Sequence, residues 1–175
     1  MNLKETLNAT GETLIKTGSP DAQLEAEVLI RHVLRIDRAT FLRDLEEPVT
    51  EYDRERLDAL VARRLRREPL NYITGFREFY GLSFEVSDGV LIPRQETELL
   101  VDTVIALARS RPKSKMKICD VGTGSGAIAI SLAVHLPSAE ITATDISQRA
   151  LDVADSNRRS HGVYSRVALR RGNLL

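Results

Sequence analysis

Seven consecutive residues, Asp120-Val121-Gly122-Thr123-Gly124-Ser125-Gly126, constrain this chain more than any other stretch. They follow an apolar run, Met116-Lys117-Ile118-Cys119, that reads as a short buried strand, and they lead into Ala127 to Ala133, which reads as a buried helix. A strand, a glycine-rich turn and a helix together present backbone N–H groups at a helix N-terminus to a ligand. Gly122, Gly124 and Gly126 suit such a turn because it needs positive φ and because a side chain would hold a ligand off the backbone. A second strand, Glu140 to Thr144, ends at Asp145, nineteen residues beyond Gly126. That is where a carboxylate grips ribose hydroxyls in a nucleoside-binding βαβ unit.

The turn names a nucleoside without naming a reaction. Gly122-x-Gly124-x-x-Ala127 also satisfies the dinucleotide pattern. Asp120 shifts the balance, since an acid just before the first glycine sits badly beside a pyrophosphate and well beside a cation. S-adenosylmethionine carries a sulfonium and an α-amino group, so the pattern favours a methyltransferase over an NAD-dependent oxidoreductase.

The remaining chain has the size and texture of two small domains. Its 175 residues carry 25 Lys+Arg against 25 Asp+Glu, so no global basic excess advertises nucleic acid. No apolar run reaches membrane-spanning length, Met1-Asn2-Leu3-Lys4-Glu5 lacks the apolar core of a signal peptide, and the expected compartment is the cytoplasm. The lone Cys119 is expected as a small core residue of its strand. His32, His135 and His161 are scattered without metal-ligand spacing, and no metal site is expected.

Three amphipathic helices are expected before residue 70. The first runs from Leu3 to about Lys16. The second opens at Ser19-Pro20-Asp21 and places Leu24, Val28, Leu29, Val33 and Leu34 on one face, with Glu25, Glu27, Arg31 and Arg35 outside. The third is capped by Thr50 and reaches about Arg67. A short turn or helix lies around Thr40-Phe41-Leu42. Arg54, Arg56, Arg63, Arg64, Arg66 and Arg67 give the third helix a basic run that is either a partner surface or a solvated face balanced by Glu51, Asp53, Glu55 and Asp58. From Asn71 the crowding of Tyr72, Phe76, Phe79, Tyr80 and Phe84 among glycines reads as a β-hairpin whose aromatics either pack two domains together, the favoured reading, or form a stacking surface. A helix from Glu96 to about Arg109 should bury Leu99, Leu100, Val104 and Leu107, and Arg111 to Lys115 form a polar connection. Strand and helix then alternate to a last strand at about Val167–Arg171, which predicts parallel strands with right-handed crossovers.

The hairpin exit, Val90-Leu91-Ile92-Pro93-Arg94-Gln95-Glu96-Thr97-Glu98-Leu99-Leu100, is not explained by the nucleoside motif and reads on its own as helix capping. Together with Phe79-Tyr80-Gly81 before it and the glycine turn after it, this string closely resembles the N5-glutamine methyltransferases of peptide-chain release factors. The resemblance implies an α/β fold: a class I, Rossmann-like S-adenosylmethionine-dependent methyltransferase sheet, here truncated, behind a small all-helical N-terminal domain. Residues 1–70 would be the helical bundle that recognises the release factor, 71–92 a hairpin linker, and 93–175 the first part of the methyltransferase domain.

The same resemblance implies site roles. Asp120, Gly122, Thr123, Gly124, Ser125 and Gly126 would cradle the methionine part of S-adenosylmethionine, Asp145 would hold the ribose, and Asn173 and Leu174 would lie beside the adenine. Pro93, Arg94, Glu96, Thr97 and Glu98 would close over the cofactor. Two positions depart from the pattern: Gln95 stands where a second Pro is frequent, and Asn173 where Asp is common. The catalytic Asn-Pro-Pro-Tyr of that group does not occur before Leu175, so no catalytic residue is assigned, and the chain is expected to be a piece that does not transfer methyl groups by itself. The implied acceptor is a glutamine in a Gly-Gly-Gln loop, with no direct nucleic-acid or membrane partner. Competing readings are a nucleic-acid or ribosomal-protein amino-methyltransferase, an NAD-dependent oxidoreductase and a non-catalytic binding module.

Overall fold

The computed structural model describes residues 1–110 and 116–173, which fall into two compact units, Met1–Thr74 and Gly75–Leu175. The polar connection at 111–115 and Leu174 lie outside the described residues.

The first unit is helical. Helix α1 (Leu3–Ile15) opens with a reciprocal cap in which Asn2 Oδ1 accepts the Glu5 N–H at 2.8 Å and the Glu5 carboxylate accepts the Asn2 N–H at 3.0 Å. Helix α2 (Ala22–Leu34) starts after Asp21. Ser19 does not cap it; its hydroxyl accepts the Asp21 N–H and donates to Glu25. Asp37 caps α3 (Arg38–Arg43), and Thr50 caps α4 (Glu51–Leu65) by accepting the Asp53 N–H at 3.1 Å. Residues 71–74, expected within the hairpin, instead belong to a short helix, α5 (Leu70–Thr74), because Pro69 supplies the carbonyl that accepts the first helical N–H groups.

The stripe on α2 differs from the expected one. Ala22, Ala26, Leu29, Ile30 and Val33 face the core with Leu14, Phe41, Leu57 and Val61, whereas Leu24 is exposed. Glu27 is buried where it was expected outside. Arg31 at 3.1 Å and Arg38 at 3.0 Å neutralise it there and tie α2 to α3.

The second unit begins with the hairpin β1 (Phe76–Phe79) and β2 (Leu82–Glu85), paired antiparallel with Phe79 opposite Leu82. Its two-residue turn, Tyr80-Gly81, has φ of 53° and 71°, the left-handed pair whose twist matches the strands. A 3₁₀ turn at Gln95–Thr97 leads into α6 (Glu98–Arg109). There follow β3 (Lys117–Val121), α7 (Ala127–His135), β4 (Glu140–Asp145), α8 (Gln148–Ser160) and β5 (Val167–Arg171). The three strands form one parallel sheet in the order β3-β4-β5. The alternating strands and helices give the α/β, Rossmann-like arrangement expected, with a core of Phe79, Phe84, Val101, Ile105, Ile130, Leu132, Ile141, Ala143, Val163 and Val167.

Two further burial expectations fail in the second unit. Cys119 is exposed, because side chains alternate along the strand: Ile118 packs on the core while Lys117, Cys119 and Val121 share the outer face. Among the described strands β3 pairs only with β4, so it is also an edge. On α6 the residues facing the core are Val101 and Ile105, with Val104 half-buried, and Leu99, Leu100 and Leu107 are exposed. The apolar positions surround more than half of that helix, and the neighbouring α7 covers one side of it.

Candidate functional site

The carboxyl ends of β3 and β4 meet at the glycine turn. The register sets Asp120 opposite Ala143 and Val121 opposite Thr144, which brings the turn over the end of β4. There the Thr144 carbonyl accepts N–H bonds from both Gly122 and Thr123, each at 2.9 Å. The turn closes with Gly126 N–H on the Thr123 carbonyl at 2.9 Å. Gly122, Gly124 and Gly126 have φ of 75°, 56° and 81°, the conformation the spacing called for.

Their surroundings divide the three glycines. A Cβ on Gly122 or Gly124 would meet open space, so the outer ridge of the turn is free for a ligand. A Cβ on Gly126 would come within 2.8 Å of Ile130 Cδ1 and 3.2 Å of Ala154 Cβ, so this glycine lets α7 and α8 approach.

Two carboxylates are built into this turn. Asp145, at the end of β4, accepts the Gly124 N–H on Oδ2 at 3.0 Å and the Ser147 N–H on Oδ1 at 2.9 Å. Each oxygen keeps a lone pair for a hydroxyl donor, which suits a ribose. Asp120 accepts the Thr123 hydroxyl at 2.7 Å. Burial is the largest influence on its carboxyl and raises the pKa; the Thr123 hydroxyl and the Ala129 amide pull it down, and the Asp145 charge adds to the rise. A cation placed beside Asp120 would relieve that penalty. Open backbone, a hydroxyl-accepting carboxylate and a half-buried acid are a set of groups that fits S-adenosylmethionine.

The other residues singled out are on separate elements. Pro93 and Arg94 precede the 3₁₀ turn that holds Glu96 and Thr97, and no side chain caps either helical start there, so the capping role fails. The Glu98 carboxylate accepts the Tyr80 N–H at 2.8 Å, and the Tyr80 hydroxyl donates to Asp102 at 2.6 Å, fastening the hairpin turn to α6. Asn173 is exposed just past β5, next to Gly172, whose N–H bonds to the Asp145 carbonyl at 3.1 Å. Two of the three histidines have carbonyl partners: His135 bonds to the Ser131 carbonyl and meets the Tyr80 ring edge-on, and His161 bonds to the Ser83 carbonyl. Among the described residues no group of three or more His, Cys, Asp or Glu is arranged to hold a metal ion.

Sequence reasoning missed Asn157. It sits on α8, 2% exposed, with both Nδ2 protons and Oδ1 engaged by Ser125 and Glu85. An Asn within an amphipathic helix gives no sign of this in the sequence.

Of the six arginines in the basic run, the four that lie on α4 are paired and Arg66 and Arg67 follow its end. Arg54 holds Glu51, Arg56 holds Asp53 at 3.3 Å, Arg63 holds Glu68 at 2.9 Å, and Arg64 grips Glu25 of α2 through two bonds at 2.8 and 2.9 Å.

Residues 5–75 match the PrmC N-terminal domain family, and residues 112–175 match a methyltransferase domain family. Over all 175 residues the chain is 43% identical to a release factor glutamine methyltransferase of Moorella thermoacetica. The chain resembles the release factor glutamine methyltransferases. A second protein of that name, from Koribacter versatilis, is 42% identical over 157 residues, 90% of this chain. A bifunctional methyltransferase of Rickettsia typhi is 40% identical over 188 residues, 98% of this chain. The chain spans 61% of the Moorella release factor glutamine methyltransferase, 55% of the Koribacter one and 36% of the Rickettsia protein. Among the described residues no helix is long and apolar enough to cross a membrane.

Proposed function

We propose that this chain carries the methyl-donor side of an S-adenosylmethionine-dependent protein-glutamine N-methyltransferase that acts on the Gly-Gly-Gln loop of peptide-chain release factors. The observation that carries the reading is the Asp145 carboxylate accepting the Gly124 N–H beneath an open ridge of backbone. The names of the relatives support the acceptor.

When bound, the sulfonium would supply a methyl group to an amide nitrogen attacking in line: the C–S bond breaks as the N–C bond forms, the sulfur leaves as the neutral thioether of S-adenosylhomocysteine, and the nitrogen releases one proton to solvent. An amide nitrogen is a poor nucleophile because its lone pair is delocalised, so positioning carries much of the catalysis. The residues of this chain do the donor's share of that work. Gly122 and Gly124 let the backbone approach, Asp145 accepts from the ribose, and Asp120 faces the cationic end. Asn173 and Leu174 flank the adenine, Thr123, Ser125 and Gly126 shape the turn, and Pro93, Arg94, Glu96, Thr97 and Glu98 close the site. The helices of residues 1–70 recognise the release factor, 71–92 link them to the donor domain of 93–175, and the enzyme works in the cytoplasm at translation termination.

Calorimetric titration tests the donor, and capture of a purified release factor on the immobilised chain tests the partner. S-adenosylmethionine should bind at one site, NAD should not, and the release factor should be retained. Binding of NAD in place of S-adenosylmethionine would overturn the donor assignment, and equal retention of RNA and release factor would overturn the acceptor.

A further inference from the structure

The carboxamide of Asn157 behaves as a piece of backbone. Its Oδ1 accepts the Glu85 N–H at 2.8 Å and its Nδ2 donates to the Glu85 carbonyl at 3.0 Å, the paired exchange that a neighbouring strand would make with β2. The second Nδ2 proton goes to the Ser125 carbonyl at 2.9 Å. Asn157 and Ser125 are each 2% exposed, so neither side chain is presented to a ligand. One side chain thus joins the hairpin, α8 and the glycine turn.

The bond to Ser125 has a consequence for the turn's geometry. A peptide group is planar, so fixing the Ser125 carbonyl also fixes the direction of the Gly126 N–H. That N–H closes the turn on Thr123, and the residue before Ser125, Gly124, offers its own N–H to Asp145. Ser125 lies between two glycines in the left-handed region, where the backbone has the greatest freedom to choose another shape. An anchor is needed there, and α8 provides it from beneath.

We propose that Asn157 is a positioning residue for the donor: its amide holds the glycine turn in the shape that binds, and it makes donor affinity depend on the hairpin strand β2. This rests on the methyl-donor reading above. Replacement by Asp is nearly isosteric, keeps the acceptor for the Glu85 N–H, and removes both donated bonds.

The test uses the full chain with S-adenosylhomocysteine as the probe, whose neutral sulfur avoids direct charge effects from the replacement. Asn157→Asp should bind about tenfold or more weakly than wild type, the loss of one well-made hydrogen bond in the turn. Hydrogen exchange at the Glu85 amide should stay slow in Asn157→Asp and become fast in Asn157→Ser, which should also bind weakly. Val163→Ala, a destabilising change in the same core, should leave affinity within twofold of wild type, which separates positioning from loss of stability. If wild type does not bind the probe, the donor reading itself falls. If wild type binds and either folded Asn157 variant binds equally well, the positioning role alone is overturned. If neither variant folds by circular dichroism, Asn157 is a residue of the fold and the proposal is likewise overturned.

Discussion

Gly124 donates its backbone N–H to the carboxylate of Asp145 at 3.0 Å, joining residues that lie 21 positions apart and end two different segments of the sheet. The carboxylate therefore has two tasks, shaping the turn and receiving a ligand. Asp145→Ala should weaken S-adenosylmethionine by roughly tenfold to a hundredfold, since a hydrogen bond to a charged group contributes about 1.5–3 kcal/mol. Calorimetry on the variant decides the matter, and unchanged affinity would remove Asp145 from the site.

The glycines of the turn should separate under substitution. Gly124→Val places a branched side chain at φ 56° in the open space over the ridge, so donor binding should be abolished while the helical unit keeps its circular dichroism. Gly126→Ala presses on Ile130 and Ala154 in a filled core and should cost about 1–3 kcal/mol of stability without ligand. Both positions have positive φ, where any side chain is strained, so thermal melts of ligand-free Gly124→Ala and Gly126→Ala compare the two. A larger loss of stability at Gly124 than at Gly126 would contradict this division.

Asp120 gives the second unit a pH dependence of predictable sign. Its folded pKa is raised, chiefly by burial, so the folded protein holds the proton more tightly than the unfolded one. Stability from this group is fully present below the ordinary carboxylate value of about 3.9 and is lost as pH climbs through the raised folded value. Asp120→Asn should therefore be at least as stable as wild type at neutral pH and gain nothing near pH 4. A cationic donor needs the ionised form, so its affinity should increase with pH over the same window in wild type only. Denaturant melts and titrations at several pH values read both effects.

The link between Glu25 and Arg64 has the opposite sign. The Arg64 guanidinium holds the Glu25 carboxyl below its ordinary value, so the contribution is present above about pH 4.3 and disappears as pH falls through the lowered folded value. Both side chains are largely covered, at 12% and 17% exposure, so Arg64→Ala leaves a poorly solvated carboxylate and should cost about 2 kcal/mol at neutral pH. Urea melts at pH 7 and pH 3 should show a smaller deficit at the lower pH.

Local features of the chain were readable where one short-range rule decides them. The Thr50 cap and the positive φ at all three glycines follow from residue types and spacing. Long-range choices were not. Nothing near Glu27 says that Arg38 will arrive from another helix to permit its burial. Periodicity marks Leu99, Leu100 and Leu107 as apolar, yet only the placement of α7 decides which side of α6 is covered. Cys119 sits in a strand that looks buried by composition and is exposed because it shares the outer face of β3 with Lys117 and Val121. Within the candidate site, the residues of the turn and Asp145 come together as their spacing implied, whereas Asn157 has no sequence signal because its three bonds reach residues 32 and 72 positions away.

The paired arginines of α4 bear on how quickly another macromolecule can find the helical unit. Charge accelerates encounter only where a field extends beyond the surface, and Arg54, Arg56, Arg63 and Arg64 each have a carboxylate at hand within their own unit. Dipoles of that size fade within the screening length of about 8 Å at physiological ionic strength. Despite its arginine-rich composition, the helix should therefore meet a partner at the unsteered rate of roughly 10⁵–10⁶ M⁻¹s⁻¹, and added salt should leave that rate nearly unchanged.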